Sequence, residues 1–267
     1  MTDRSTVAAI LRAAGAVWAE DEAALLLAAA DDGADLQALV ARRVAGEPLE
    51  TIIGRVEFLD RRLVVAPGVF VPRRRTQLLA RTAIAHVAAH HVVVEMCCGV
   101  APVAAVLEGA AAEVHAADLS APALACAALN APGARLHCGD LYDALPAELA
   151  GHVDVLVANA PYVPTDRIAA MPPEARVHEP RVALDGGADG VEVHRRLAAG
   201  VSDWLAPGGV LLVETSPDQV PLTTAAMRAA GLVTCVVTDV DIGGCVVVGV
   251  SAGGRVAGSP APAGEQE

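Results

Sequence analysis

The feature that most constrains the fold is a short, β-branched apolar run that ends abruptly in polar and rigid residues. It reads Val153-Asp-Val-Leu-Val-Ala-Asn-Ala-Pro-Tyr162. Such a run predicts a buried strand, and open α/β sheets bind ligands at the carboxyl ends of their strands. Pro161 favours an extended backbone at Ala160, so we expect the Ala160 carbonyl and the Asn159 side chain to face one pocket. Two acceptors and the ring of Tyr162 suit a planar NH2 group, although a strand followed by a proline turn is the plainer interpretation.

The length of 267 residues allows one large domain or a domain with a small appendage. Glu95 and Pro102 interrupt the longest apolar stretch, so no membrane span of about 18 residues is predicted. Arg12 interrupts what would be the apolar core of a signal peptide. We therefore expect a soluble, cytoplasmic protein.

The six cysteines lie in apolar segments without a Cys-x-x-Cys pair, which favours buried free thiols over disulfides or a zinc site. No metal site is predicted. A net charge of −13 and the absence of lysine argue against binding to a nucleic-acid backbone. Region 42–81 differs, because it holds nine arginines and four acids. It is either a solvated face or a docking surface for a partner.

The pattern along the chain predicts four segments. Residues 1–50 form a helical module with three apolar-periodic helices, and residues 51–75 form a hairpin linker. Strands alternate with helices over residues 76–251 and end in an antiparallel pair, which predicts a mainly parallel α/β sheet. Residues 252–267, rich in Gly, Ser, Pro and Ala, are expected to be disordered.

The first predicted strand of the sheet ends at Glu95 and is followed by Met-Cys-Cys-Gly-Val-Ala-Pro, the position of a glycine-rich turn in nucleotide-type folds. Asp118 ends the next strand, 23 positions after Glu95. A carboxylate there can accept hydrogen bonds from both hydroxyls of a ribose. Read alone, Asp118 can equally cap the helix that begins near Ser120, but its position after the Glu95 turn favours the ribose role.

Asn159-Ala-Pro-Tyr162 resembles the Asn-Pro-Pro-Tyr signature of S-adenosylmethionine-dependent methyltransferases that modify amide or exocyclic amino nitrogens. Four further segments, in the same order, resemble protein-(glutamine-N5) methyltransferases, which methylate the Gly-Gly-Gln loop of peptide chain release factors. These are Arg43-Val-Ala-Gly-Glu-Pro-Leu-Glu, Gly54-Arg-Val-Glu-Phe, Val71-Pro-Arg and Glu179-Pro-Arg-Val-Ala-Leu-Asp-Gly-Gly. The resemblance covers roughly residues 35–250.

This resemblance implies a seven-stranded class I methyltransferase sheet, S-adenosyl-L-methionine as the cofactor and a release factor as the protein substrate. The implied catalytic residues are Asn159, Ala160, Pro161 and Tyr162. The implied cofactor-binding residues are Glu95, Cys97, Cys98, Gly99, Val100, Ala101, Asp118, Asp140, Leu141 and Asn159. Leu141 would pack on the adenine, or it is simply part of the core.

The chain departs from the family at two places. Cys97 and Ala101 replace the outer glycines of Gly-x-Gly-x-Gly, which narrows the room for a ligand. The family segment Pro-Arg-Pro-Glu-Thr-Glu is here Pro72-Arg-Arg-Arg-Thr-Gln77, so two acids are absent. These departures leave open a non-catalytic family member that binds a partner. A nucleic-acid amino-group methyltransferase is the other alternative, because the same Asn-x-Pro-Tyr arrangement serves adenine.

Residues 163–189, beyond Tyr162, are predicted to be a long structureless loop, and such loops are usually functional. His178 in this loop can be read as a catalytic base. A simpler interpretation is that His178, Arg181 and Asp185 are polar groups that order the loop.

Overall fold

The structure is a computed structural model, and it describes residues 3–31 and 33–252. Residues 253–267, most of the tail predicted to be disordered, lie outside the described residues. The α-helices are α1 (Arg4–Ala13), α2 (Ala19–Asp31), α3 (Leu36–Val44), α4 (Leu49–Ile53), α5 (Thr76–His86), α6 (Pro102–Leu107), α7 (Ala121–Asn130), α8 (Pro173–His178), α9 (Glu192–Gly200) and α10 (Val220–Ala229). The strands are β1 (Arg55–Phe58), β2 (Arg61–Val64), β3 (Val92–Met96), β4 (Glu113–Asp118), β5 (Arg135–Cys138), β6 (Val153–Ala158), β7 (Leu205–Glu214), β8 (Val233–Asp239) and β9 (Gly244–Val250).

The first four helices pack around their own apolar cluster, in which Val7, Leu11 and Leu26 are almost fully buried. Asp3 and Asp35 cap α1 and α3, because each carboxylate accepts a hydrogen bond from a backbone N–H of the first turn. The short helix α4 was not predicted. It lies between Pro48 and Gly54, and Gly54 ends it in the left-handed conformation.

The hairpin of β1 and β2 is antiparallel, as predicted, and it inserts Phe58 and Leu63 into the main core. Asn130, at the end of α7, fastens the hairpin to the sheet domain. Its side chain accepts from Val64 N (2.7 Å) and donates to Val64 O (3.0 Å) and Val100 O (2.9 Å). The linker is therefore fixed to the sheet domain, because the Asn130 side chain hydrogen-bonds both the linker and the loop after β3.

The large sheet has seven strands in the order β5-β4-β3-β6-β7-β9-β8, which agrees with the seven-stranded sheet that the sequence implies. Strands β5, β4, β3, β6 and β7 are parallel, and β9 is antiparallel to both of its neighbours. The central strands are buried on both faces, which is why they read as continuous Val, Leu and Ala runs. The carboxyl ends of β3, β4 and β6 consequently meet at one edge.

None of the helices in residues 3–31 and 33–252 has the length and apolar character that crossing a bilayer requires.

Candidate functional site

A cavity of about 490 Å³ opens where β3, β4 and β6 end. The strand order reverses there, because β4 and β6 lie on opposite sides of β3. This is the usual ligand position of an open α/β sheet, and the volume is that of a small-molecule site. The predicted residues that line it are Glu95, Cys97, Cys98, Gly99, Val100, Asp118, Asp140, Leu141, Asn159 and Pro161. Ala101, Ala160 and Tyr162 lie outside the lining.

Residues 97–101 form the β3–α6 loop, in which three alternate residues are left-handed. Their φ angles are 53° at Cys97, 55° at Gly99 and 58° at Ala101. These are the three positions that the family pattern fills with glycine. The backbone of a glycine-rich turn is therefore kept, and Cys97 and Ala101 are strained by about 1–2 kcal/mol each. Cys97 and Ala101 therefore change the side chains of this loop, while all three positions keep a left-handed backbone.

Glu95 holds this loop from beneath. Its carboxylate is 4% exposed and accepts hydrogen bonds from Val103 N (3.2 Å) and Ala104 N (2.6 Å) in the first turn of α6. Burial raises the pKa of Glu95 to about 8, against the two backbone hydrogen bonds, which lower it. The Glu95 side chain thus both lines the cavity and fixes the start of α6.

Asp118 is oriented by the backbone on both sides. Oδ2 accepts from Gly99 N (2.8 Å) and Oδ1 accepts from Ser120 N (2.8 Å). The N-cap of α7 is Ser120, whose hydroxyl accepts from Ala123 N, so Asp118 is not the helix cap. Each carboxylate oxygen can accept more than one hydrogen bond, so Asp118 retains acceptor capacity toward the cavity that it lines.

Asp140 and Leu141 form the far wall of the cavity. Asp140 pairs with Arg196 of α9 at 2.7 Å, and Arg196 also lines the cavity. Arg196 was not predicted to be a site residue, since nothing in the pattern of α9 distinguishes it from Arg195. Leu141 is left-handed at φ 49° and 7% exposed. It packs in the core cluster and also lines the cavity, and its packing on the adenine stays a prediction.

Asn159 follows β6 directly and points into the cavity beside Thr76, the first residue of α5. Asn159 Nδ2 donates to Thr76 Oγ1 over 3.4 Å. Among residues 3–31 and 33–252, no donor reaches Asn159 Oδ1 or the Ala160 carbonyl oxygen. The end of β6 therefore carries two acceptors without a donor, of which Asn159 lines the cavity and Ala160, 1% exposed, does not.

Tyr162 lies behind this point. Its hydroxyl donates to Glu214 Oε1 at 3.2 Å, and burial raises its pKa. Arg75 stands over the ring, with Cζ 5.6 Å from the centroid, and its Nε donates to the same Glu214 oxygen at 3.2 Å. The predicted place of the Tyr162 ring over an amine stays a prediction.

Residues 159–191 form the β6–α9 loop, and it is not structureless as the sequence suggested. It contains two 3₁₀ turns and the one-and-a-half-turn helix α8. Gln219 fastens its two ends, because Nε2 donates to Tyr162 O (2.7 Å) and to Asp189 O (3.1 Å). A Cβ on Gly190 would lie 2.1 Å from Gln219 Nε2 and 2.4 Å from Tyr162 O, so only glycine fits there.

The polar residues of the loop bind within it and to the hairpin linker. Asp185 accepts from the Thr165 hydroxyl (2.6 Å) and pairs with Arg181 (3.0 Å). Glu179 is buried and pairs with Arg73 at 2.5 Å, and it also accepts from Val71 N. His178 does not line the cavity. The loop-ordering role is thus observed for Asp185 and Arg181, and the catalytic role of His178 has no geometric support.

Comparison with known proteins gives close sequence relatives. No family model matches the chain. It is 42% identical over 203 residues to the release factor glutamine methyltransferase of Streptomyces coelicolor, with 72% of each chain covered. It is 35% identical to the protein of the same name from Geobacter sulfurreducens, covering 74% of this chain and 70% of that one. It is also 39% identical to a 4-amino-L-phenylalanine/4-methylamino-L-phenylalanine methyltransferase of Streptomyces pristinaespiralis, covering 72% of this chain and 69% of that one.

Solved structures support the fold. A methyltransferase from Pyrococcus furiosus matches with a TM-score of 0.53 and 15% identity, over 81% of this chain and 98% of that one. The E. cuniculi Mtq2–Trm112 complex, described as responsible for methylation of the termination factor eRF1, matches with a TM-score of 0.50 and 23% identity, over 69% of this chain and 99% of that one. The predicted class I methyltransferase fold is confirmed.

Proposed function

Because the chain belongs to the release factor glutamine methyltransferase family, and is therefore an S-adenosyl-L-methionine-dependent methyltransferase, we propose that it methylates the side-chain amide nitrogen of a glutamine in the Gly-Gly-Gln loop of a peptide chain release factor. The observation that carries the proposal is the pair of unoccupied acceptors at the end of β6, the Asn159 side-chain oxygen and the Ala160 carbonyl oxygen. They suit the two hydrogens of a carboxamide.

The cavity fits the cofactor. It has the volume of a small-molecule site, a turn with the left-handed backbone conformation of a glycine-rich loop, and the Asp118 carboxylate at the end of β4. We propose that Asp118 accepts hydrogen bonds from the ribose hydroxyls and that Asp140 and Leu141 lie beside the adenine. Residues 95–101 would contact the rest of the cofactor. When bound, S-adenosyl-L-methionine supplies an electrophilic methyl group on a sulfonium.

The residues of this chain then act by position. A carboxamide nitrogen is a weak nucleophile, because its lone pair is delocalised. Asn159 and Ala160 would hold its two hydrogens and fix the direction of the nitrogen, and Pro161 would fix the backbone between the acceptors and Tyr162. As positive charge grows on the nitrogen, both hydrogen bonds strengthen, which favours the transition state over the ground state.

The test is incubation of the enzyme with methyl-labelled cofactor and purified release factors, followed by mass spectrometry of the Gly-Gly-Gln peptide. We expect a single methyl group on the glutamine. Asn159→Ala should lower turnover at least about 100-fold, as loss of a transition-state hydrogen bond does, with cofactor affinity within about 2-fold. Full turnover by Asn159→Ala would contradict the mechanism.

Free 4-amino-L-phenylalanine is the matched competitor substrate, because one relative is named for it at similar identity. Transfer to this amine and none to the release factors would replace our substrate assignment while leaving the methyltransferase intact. Calorimetry with the cofactor addresses the non-catalytic alternative, since a protein that fails to bind the cofactor is not an enzyme of this class. We do not propose a nucleic-acid substrate.

We also propose that the substrate docks near the cavity mouth, within region 42–81. Most arginines of this region are already paired with acids, among them Arg42 with Glu47 and Arg62 with Glu57. Among the described residues, Arg74 is exposed and has no ion pair. Arg73 is stacked on Phe70 at 4.9 Å, and Phe70 lines the cavity. Arg73 is itself paired with Glu179, so the docking surface narrows to Arg74 and the neighbouring Phe70. A cytoplasmic location is part of the same proposal and follows from a release factor substrate.

A further inference from the structure

Arg75 occupies a position where the family segment Pro-Arg-Pro-Glu-Thr-Glu has an acid. The replacement does more than remove the contacts of that acid, because the Arg75 guanidinium lies beside Glu214 at the end of β7. Arg75 Nε donates to Glu214 Oε1 at 3.2 Å, and Tyr162 Oη donates to the same oxygen at 3.2 Å. Glu214 Oε1, on β7, thus binds both Arg75, just before α5, and Tyr162, in the β6–α9 loop.

Arg75 is an ion-pair partner of the buried Glu214 carboxylate. The Glu214 side chain is 1% exposed, whereas Arg75 is 42% exposed and reaches the carboxylate from the surface. A buried carboxylate without a partner costs several kcal/mol or takes up a proton. Burial does raise the pKa of Glu214, and Thr76, Arg75 and Tyr162 lower it. A glutamate at position 75 would place two carboxylates against each other.

The same contacts fix the ring of Tyr162, which follows the Asn159 and Ala160 acceptors proposed to bind the amide. Arg75 Cζ lies 5.6 Å from the Tyr162 centroid, within the range of a cation–π contact. The next residue, Thr76, accepts from Asn159 Nδ2. Two consecutive residues at the start of α5 therefore orient the first and last members of Asn159-Ala-Pro-Tyr162.

We propose that Arg75 is a positioning residue that fixes Tyr162 through the carboxylate of Glu214, and that this chain depends on a cation where the family has an acid. The effect on turnover rests on the proposed function. The effect on Tyr162 does not, so the two are measured separately.

The first measurement is NMR of the full-length protein with ring-¹³C tyrosine. The chain has two tyrosines, Tyr142 and Tyr162, so Tyr142→Phe assigns both signals. Arg75→Met should shift or broaden the Tyr162 signal. The Tyr142 signal should stay, because its hydroxyl donates to Leu197 O at 2.7 Å and its ring stacks on Trp204. Arg81→Met is the matched control, since Arg81 is also on α5 and pairs with Asp239 at 3.5 Å.

The second measurement is turnover with the Gly-Gly-Gln substrate. Arg75→Met should lower kcat about 10- to 100-fold, the effect of misplacing a binding group by about 1 Å, with cofactor affinity unchanged. Arg75→Glu, which restores the family acid, should be at least as damaging, and Arg75→Lys should recover part of the loss. Glu214→Gln combined with Arg75→Met should be less damaging than the product of the single changes, because it removes both charges together.

The outcomes separate the two claims. An unmoved Tyr162 signal in Arg75→Met, or full activity in Arg75→Glu, would overturn the role of Arg75. A wild-type enzyme that transfers nothing to release factors, while Arg75→Met still moves the Tyr162 signal, would overturn the proposed substrate and support the role of Arg75.

Discussion

Two loops bound the cavity, and they are built in opposite ways. The β3–α6 loop is held by groups close in sequence. Glu95 binds N–H groups eight and nine positions away, and Asp118 binds Gly99 at 19 positions. The β6–α9 loop has internal contacts such as that of Arg181 with Asp185, but its ends are held by side chains from distant segments, with Thr76 83 positions from Asn159 and Gln219 57 from Tyr162.

The difference predicts how each loop responds to mutation. A locally built loop keeps its path when single side chains change, which explains how Cys97 and Ala101 occupy glycine positions. A loop assembled from distant side chains loses its geometry when one of them is removed. We therefore expect changes around the β3–α6 loop to alter stability and cofactor affinity, and changes around the β6–α9 loop to alter turnover, with a loss of stability where the backbone must move.

Among the changes that test this comparison, the largest effect is expected for Gly190→Ala. The added Cβ would meet Gln219 Nε2 at 2.1 Å and Tyr162 O at 2.4 Å, so the loop must move. We expect about 100-fold lower turnover and about 3 kcal/mol lower free energy of unfolding. Gly109→Ala is the control, since Gly109 has a similar φ of 80° with no atom near its Cβ. It should cost about 1 kcal/mol and leave turnover unchanged. Equal losses of turnover and stability in Gly190→Ala and Gly109→Ala would show that the contacts around Gly190 do not hold the β6–α9 loop in place.

Gln219→Glu should have the next largest effect. The side chain keeps its shape, but its carboxylate faces the Tyr162 and Asp189 carbonyl oxygens in place of an NH2 group. We expect turnover to fall about 10-fold or more while the cofactor dissociation constant stays within about 2-fold. Gln37→Glu on α3, an exposed position, is the matched control. A change confined to cofactor affinity would show that the two loops are not separate.

The two regions should also differ in the sign of their pH dependence. Burial lowers the pKa of His194, whose ring lies 6.4 Å from that of Tyr162, to about 4. Its neutral form is favoured by folding, so this contribution is complete above pH 6.5 and is lost as the pH falls from 6.5 to 4. The loss is on the order of 3 kcal/mol. Glu95, with its pKa raised from 4.5 to about 8, acts oppositely, since its contribution is complete below pH 4.5 and is lost as the pH rises to 8.

The measurement is the free energy of unfolding in urea at several pH values. His194→Asn should flatten the curve between pH 4 and 6.5, and Glu95→Gln should flatten it between pH 4.5 and 8. Identical curves for a variant and the wild type would show that the group titrates equally in the folded and unfolded chain.

The smallest effects should follow restoration of the family glycines. Ala101→Gly removes left-handed strain but also a buried methyl group, so we expect a net gain of at most about 1 kcal/mol. Cys97→Gly adds room beside the cavity, and we expect cofactor binding up to about 10-fold tighter by calorimetry. Cys98→Ala is the control, because Cys98 does not have a positive φ. Weaker binding by Cys97→Gly would mean that the thiol itself contacts the cofactor.

Periodicity and short motifs were enough to predict the order of strands and helices, the hairpin linker and the residues at the strand ends, including Asn159 and Asp118. These features are local, because apolar spacing fixes the type of an element and a parallel sheet brings its carboxyl ends to one edge. The four-segment division of the chain stays a prediction. Helix α4 and the short helices within residues 163–189 were missed, since each is too short to show a period.

The sequence by itself determined that a class I sheet would carry an amide and a carboxylate at strand ends on one edge of the sheet. Only the tertiary structure decided which distant groups hold them, because the partners of Tyr162 lie 52 and 57 positions away on β7 and just before α10. Hydrogen bonds of this range leave no periodic trace in the chain. That is also why Arg75 read as a missing acid in the sequence and is an ion-pair partner of Glu214 in the structure.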